Sequence, residues 1–348
     1  MKKSCGTLFI ILVLLSACVK TNNDPGCSVN GTWMGRWDAG TQEGTWVCNA
    51  QNNSTNLSGY VFIWFDMPKL ENHGIGFDGL IRDRQVSSKE YISETTLNIN
   101  GNVETDSSAS GSFSVSIGMS GTWQGVKLPE LNLSVVDSFP LNIQFPYGMD
   151  IACDTERKHL FVISGKEVKE YSYTGNEIRT FSADYSGPIC FDGNHLWYSD
   201  FDKAKVIEVD TFGNWISDFT NTIGYSDGIM YDSGNLTILS DYSRKMFTVS
   251  KTGTPISELS YSYTNISGIC RYQNGCLVTS GTLAGTLFSV NSAGVPEKAY
   301  KFSNGYCYGL TRDGEYLWCA VVRYISTSSN PPSPPITDVK LFKLKINS

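Results

Sequence analysis

Charge is scarce in this 348-residue chain: Asp, Glu, Lys and Arg together make up 18% of it, and acidic residues outnumber basic ones 34 to 27. No basic stripe interrupts that balance, so the electrostatic footprint of a nucleic-acid binder is missing. Histidine is scarcer still, with only His73, His159 and His195. None stands in an H-E-x-x-H pattern, and the ten cysteines never take C-x-x-C spacing, which excludes the common zinc signatures. Long apolar runs are absent too. The unbroken run at residues 8–15 is too short for a permanent membrane helix, but behind Met1-Lys2-Lys3 it has the layout of a secretory leader.

What the chain has in quantity is Gly (33), Tyr (18), Phe (17) and Trp (8), a mix that suits strands and tight turns and predicts an all-β protein. Its length allows two domains. The apolar run ends in Leu15-Ser16-Ala17-Cys18, which resembles the lipobox of bacterial lipoproteins. That resemblance implies a signal peptide at 1–17, diacylglyceryl modification of Cys18, a polar tether at 18–28, and a membrane partner reached through the lipid anchor. Val19 after the cysteine favours the outer membrane among the sites of the cell envelope, on its periplasmic or surface face. Loss of Lys2 and Lys3 with the leader leaves 25 basic residues against 34 acidic ones. In an oxidising compartment disulfides are permitted, and Cys27 and Cys48, the only two cysteines of the first domain, are expected to pair. The remaining six cannot be paired from sequence.

From residue 148 onward a glycine recurs every 39 to 41 residues, at Gly148, Gly187, Gly228, Gly268 and Gly309. Each opens a short apolar strand, followed by a turn and a second strand such as 196–200 or 236–241. In four units a third strand runs to a second glycine, at Gly175, Gly213, Gly253 and Gly294, and a fourth follows with apolar residues such as Ile178 and Phe181. Four strands per forty residues is the unit of a β-propeller. The fifth unit stops after its third strand, 341–344, while Phe139 precedes Gly148 by the same nine residues that separate Phe219, Leu259 and Tyr300 from the next glycine. Residues 132–141 are therefore expected beside 341–344, closing a five-bladed ring with an N-terminal outer strand. The proline-rich stretch 326–338 reads as an exposed loop.

The repeat, best seen in residues 225–236, resembles the NHL and gluconolactonase-like propellers and assigns 129–348 to that domain. Residues 29–128 open with Gly31-Thr32-Trp33 and close with Gly121-Thr122-Trp123, around strand-like stretches at 45–50, 57–66, 79–84, 95–100 and 112–117. Paired G-T-W ends resemble a small lipocalin-like barrel, in which the opening Gly-x-Trp packs across one end. An unrelated antiparallel sandwich with Trp33, Trp37 and Trp123 as core stays open, as does room for a ligand inside.

Candidate sites are few. Residues 74–79 fit the dinucleotide glycine pattern, but no helix pattern follows to receive a phosphate, so no such cofactor is expected. His159 and His195 hold equivalent turn positions and read as structural. The gluconolactonase-like resemblance implies a divalent cation, Ca²⁺ or Mg²⁺, in the channel, with Asp227 at a ligand position and Asp150 placed to assist. Tyr147, Ser186, Ser267 and Tyr308 stand where that family would need Glu and Asn, which argues against a lactonase. Plant-type glutaminyl cyclotransferases share the blade number, but their acidic motifs are missing. The expectation is a binding or interaction protein whose channel mouth, lined by Tyr147, Ser186, Asp227, Ser267 and Tyr308, receives a small polar ligand, a glycan or a protein partner, with metal-dependent hydrolysis as the alternative.

Overall fold

In a computed structural model of the protein, the described residues are 29–347 without 41, 54–55, 66–72, 83–84, 93–94, 117, 144–148, 184–186, 262–265, 282, 303–304 and 326–335. The leader, Cys18, the tether and residues 326–335 of the proline-rich stretch lie outside them, while residues 336–338, expected in that exposed loop, are strand paired with residues 323–325. The described chain is all strand and turn, and no helix in it is long and apolar enough to cross a membrane. It divides into two units, Met1–Glu130 and Leu131–Ser348.

Eight strands of the first unit form a closed antiparallel barrel in sequence order: β1 (Gly31–Asp38), β2 (Glu43–Asn53), β3 (Asn56–Phe65), β4 (His73–Arg82), β5 (Gln85–Ile92), β6 (Thr95–Thr105), β7 (Ser108–Val115) and β8 (Met119–Lys127). Alternation turns Trp33 and Trp37 of β1 inward with Trp46, Phe113 and Trp123, all at most 2% exposed. Glycines make the room. A Cβ at Gly35 would sit 2.3 Å from the Trp46 ring, and one at Gly101 would sit 2.2 Å from Trp123. Trp33 donates its indole N–H to the carbonyl of Val29 at 3.0 Å, which ties the buried ring to the chain just before β1. Cys48 is buried in this core, and its expected partner Cys27 lies outside the described residues. The glycine pattern at 74–79 falls inside β4, paired with β3, not before a helix.

The second unit begins with β9 (Glu130–Pro140). Three four-stranded sheets follow: β10 (Asp150–Asp154), β11 (His159–Ser164), β12 (Glu167–Ser172) and β13 (Glu177–Ser182); β14 (Ile189–Phe191), β15 (Leu196–Asp200), β16 (Lys205–Val209) and β17 (Trp215–Thr220); β18 (Gly228–Asp232), β19 (Asn235–Ser240), β20 (Lys245–Ser250) and β21 (Pro255–Ser260). The last sheet has eight strands. In it β22 (Ile269–Tyr272), β23 (Gly275–Thr279), β24 (Thr286–Val290) and β25 (Pro296–Lys301) meet β9, which leads on to β28 (Ile336–Ile346), β27 (Tyr316–Ile325) and β26 (Tyr306–Asp313). The segment expected beside 341–344 is there: Phe139 faces Leu341, Ser138 faces Phe342 and Val135 faces Leu344. The inner strands neighbour one another in a ring, β10 to β14, β18, β22, β26 and back to β10.

Among the described residues, both sets of recurrent glycines work by close approach. At Gly309 a Cβ would lie 2.6 Å from the Asp150 Cα, so the inner strands of the first and last sheets could not meet. Gly175 sits in the β12–β13 hairpin at φ +84, where a side chain is strained, and its Cβ would lie 2.6 Å from the Phe139 ring. Gly213 stands in the same way against Phe181, and Gly253 against Phe219. Outer strands β13 and β17 thus press an aromatic residue onto the next hairpin, β21 brings Leu259 to Gly294 in the same place, and Phe139 of β9 supplies the contact for the first hairpin.

Gly175→Ala is expected to destabilise the protein by about 2–4 kcal/mol, from left-handed strain and overpacking together. In denaturant melts the double variant Gly175→Ala/Phe139→Ala should be less than additive, because removing the ring relieves the clash.

Candidate functional site

A cavity of about 530 Å³ opens where the inner strands end. Its lining includes one aliphatic residue from each inner strand, Ile151, Ile189, Ile229, Ile269 and Leu310, every one at most 2% exposed. They form an apolar floor. Above it stand Asp154, Glu156, Asp192, Tyr231, Arg271, Thr311 and Arg312. Volume, apolar depth and a few polar groups at the rim are the attributes of a small-molecule pocket.

The acids of this rim are mostly engaged. Asp154 is paired with Arg157 and accepts the backbone N–H groups of Glu156 and Arg157 at 3.0 Å. Burial pushes the Asp192 carboxyl up, but the Lys251 ammonium, the Trp197 indole N–H and the amides of His195 and Asn194 outweigh it and hold it at about 2. Burial dominates at the thiols, where it pushes Cys153 up to about 11 and raises Cys190 and Cys270 well above their ordinary value. The Thr311 hydroxyl donates to the Cys153 sulfur at 3.4 Å, and the thiol in turn donates to the Arg312 carbonyl at 3.1 Å. Protonated thiols are poor nucleophiles.

One carboxylate lies deeper. Asp150, 2% exposed, accepts the N–H of Ile189 at 3.0 Å and of Leu310 at 3.3 Å, and so ties β10 to β14 on one side and β26 on the other. Burial raises its carboxyl well above the usual range, against the pull of those two amides and that of Ile151. The polar hub is a structural bolt.

The expected mouth lies where the inner strands begin. Tyr147 and Ser186 fall outside the described residues. Asp227 accepts the Asp241 amide at 2.7 Å, and burial pushes its carboxyl up to about 6. Ser267 shares its hydroxyl with Thr279 at 3.0 Å and with the Cys307 carbonyl at 3.2 Å. Tyr308 packs against the core around Met149 and Trp318. None of these three lines the cavity, and Asp227 joins no group of three His, Cys, Asp or Glu ligands among the described residues. The group that does form, Asp192, His195 and Glu208, has Lys251 already on Asp192. His195 pairs with Glu208 at 2.8 Å just as His159 pairs with Glu170 at 2.6 Å, a cross-strand contact repeated in two sheets.

Residues 224–228 read Gly-Tyr-Ser-Asp-Gly, which fits the G-x-S-x-G pattern of a serine nucleophile. The geometry gives Ser226 other work. It is fully buried, it accepts from Asn221 at 2.8 Å and from Ser199 at 3.2 Å, and a strand follows where a nucleophile elbow needs a helix. Sequence reasoning passed over Arg271 and Arg312, although each stands three residues after a repeat glycine, Gly268 and Gly309.

No family model matches the chain, and no curated protein matches it. Among solved structures, the glutaminyl cyclase of Myxococcus xanthus is similar over 64% of this chain and 100% of its own, at 10% identity and a TM-score of 0.50. The C-terminal unit has a β-propeller fold. A protein of unknown function from Bacteroides caccae, with 14% identity and a TM-score of 0.38, covers 58% of this chain and 81% of its own. At these identities the likeness is one of fold, and sequence-distant propellers host many functions.

Two measurements test the electrostatics. With its thiol at about 11, Cys153 should alkylate with iodoacetamide at pH 8 more than about 100-fold slower than free cysteine, as followed by mass spectrometry. Asp227 is raised in the folded state, so its contribution is favourable below the unfolded carboxyl value and is lost as pH rises through about 6. Asp227→Asn should therefore stabilise the protein by about 2–3 kcal/mol at pH 8, with the gap closing below about pH 4 in pH-dependent melts.

Proposed function

We propose that this chain is a lipid-anchored protein of the bacterial cell envelope, held in the outer membrane through Cys18, that uses the channel face of a five-bladed propeller to bind a small polar ligand, a glycan or a protein partner. The observation that carries the binding reading is the cavity of about 530 Å³, with an apolar floor and a charged rim where Asp154, Asp192 and the thiols are tied up in ion pairs, hydrogen bonds or burial. Groups so engaged recognise and position; they do not cycle protons. In this reading 29–128 is a lipocalin-like barrel with a filled interior, and a Cys27–Cys48 disulfide fastens it to the tether. A metal-dependent lactonase would rest on Asp227 alone, whose carboxylate already accepts a backbone amide.

Metabolic labelling with a palmitate analogue should modify the full chain and fail on Cys18→Ala. For the cavity, thermal shift against small glycans, organic acids and amino acids should find ligands whose stabilisation disappears in Thr311→Trp, a variant that fills the space. Turnover of a lactone by the metal-loaded protein would replace the binding reading with the hydrolytic one.

A further inference from the structure

Resting on that reading of the cavity, we propose that it takes a small carboxylate bearing hydroxyl or ammonium donors, and that Arg271 and Arg312 hold the carboxylate. Both arginines line the cavity, on β22 and β26, which are neighbouring inner strands, and they follow their repeat glycines by the same three residues. Two guanidiniums presented from adjacent strands can form the fork of N–H donors that suits a carboxylate.

The charge balance of the lining singles them out. Asp154 is cancelled by Arg157, and Asp192 by Lys251. Arg271 is only loosely compensated, its Nε 3.5 Å from Asp232 while an Nη donates to the Gly275 carbonyl at 3.2 Å. Arg312 has no carboxylate within ion-pair distance among the described residues. It is instead set over the Tyr272 ring, 5.5 Å from the centroid, and that ring is held in turn by the hydroxyl of Tyr300 at 3.2 Å. Stacking restrains the guanidinium and leaves its N–H edge open. A chain of net charge −7 with many acids to spare leaves this cation unmatched at the cavity rim. Glu156, exposed in the turn that follows β10, the inner strand beside β26, forms no ion pair among the described residues, and it supplies an acceptor for a hydroxyl or an ammonium group. The floor of Ile151, Ile189, Ile229, Ile269 and Leu310 takes the ligand's apolar part.

Sugar acids and amino acids both carry this chemistry, and paired probes separate them. Full-length protein is titrated calorimetrically with D-glucuronate against D-glucose, and with L-leucine against L-leucinamide, with sodium sulfate as a plain anion. The expected result is binding of at least one carboxylate, weakened by salt, absent for the partner that lacks the carboxylate, and reduced about 10–100-fold in Arg312→Gln and in Arg271→Gln. The variant Arg312→Lys should recover only part of the loss, because an ammonium lacks the planar fork. Equal binding of D-glucose or L-leucinamide, with the arginine variants unchanged, overturns the carboxylate assignment and leaves the pocket standing. Sulfate binding alone overturns it as well. If no probe binds and Thr311→Trp changes no small-molecule thermal shift, the carboxylate assignment and the cavity reading fall together.

Discussion

The ladder between β9 and β28 completes the last sheet of the C-terminal unit, and with it the ring. Without β9, β28 would present its backbone N–H and C=O groups to solvent, and so would the outer strand β25, which β9 also meets. Burying an edge by pairing removes the template on which other chains add. The same strand carries Phe139 onto Gly175, so one segment both seals the last sheet and seats the first hairpin. At the hub, Asp150 does for the inner strands what β9 does at the rim, since its two oxygens reach the amides of strands on either side. A carboxylate so deep needs both partners, because an unpaired buried acid is more costly than none.

The periodic parts of the fold were legible because they are set by backbone geometry that only certain residues tolerate. Of the glycines at 39- to 41-residue spacing, Gly228, Gly268 and Gly309 mark where inner strands approach too closely for a Cβ, and Gly175, Gly213 and Gly253 mark left-handed hairpin positions beneath an aromatic ring. The nine-residue offset of Phe139 from Gly148 encodes the closing strand for the same reason. In the N-terminal unit, Trp33, Trp37 and Trp123 were legible as core but left open whether the interior is filled, and the closeness of Gly35 to Trp46 and of Gly101 to Trp123 emerges only from the strand register.

The cavity was far less legible. Arg271 and Arg312 lie 41 residues apart in the sequence, on strands whose adjacency depends on the whole ring having formed. Nothing local marks Arg312 as unmatched, since its lack of a carboxylate is a property of the assembled surroundings. The tyrosines and serines before the inner strands attracted attention by type, yet Ser267 is consumed by Thr279 and Tyr308 by core packing. Likewise the serine pattern at 224–228 has the right letters, and Ser226 is spent on Asn221 and Ser199.

The pairing of Pro140 with Lys340 joins positions two hundred residues apart, and it sets an order of events. The strand that the final sheet needs is among the first of this unit to leave the ribosome, while its partner is among the last. Local hairpins can form during synthesis, but the ring stays open until β28 is available, and closing so long a loop is slow compared with forming any single hairpin. A nascent chain of this design keeps its first and last sheets unjoined for most of its synthesis, and the circle locks only once the final strand is complete.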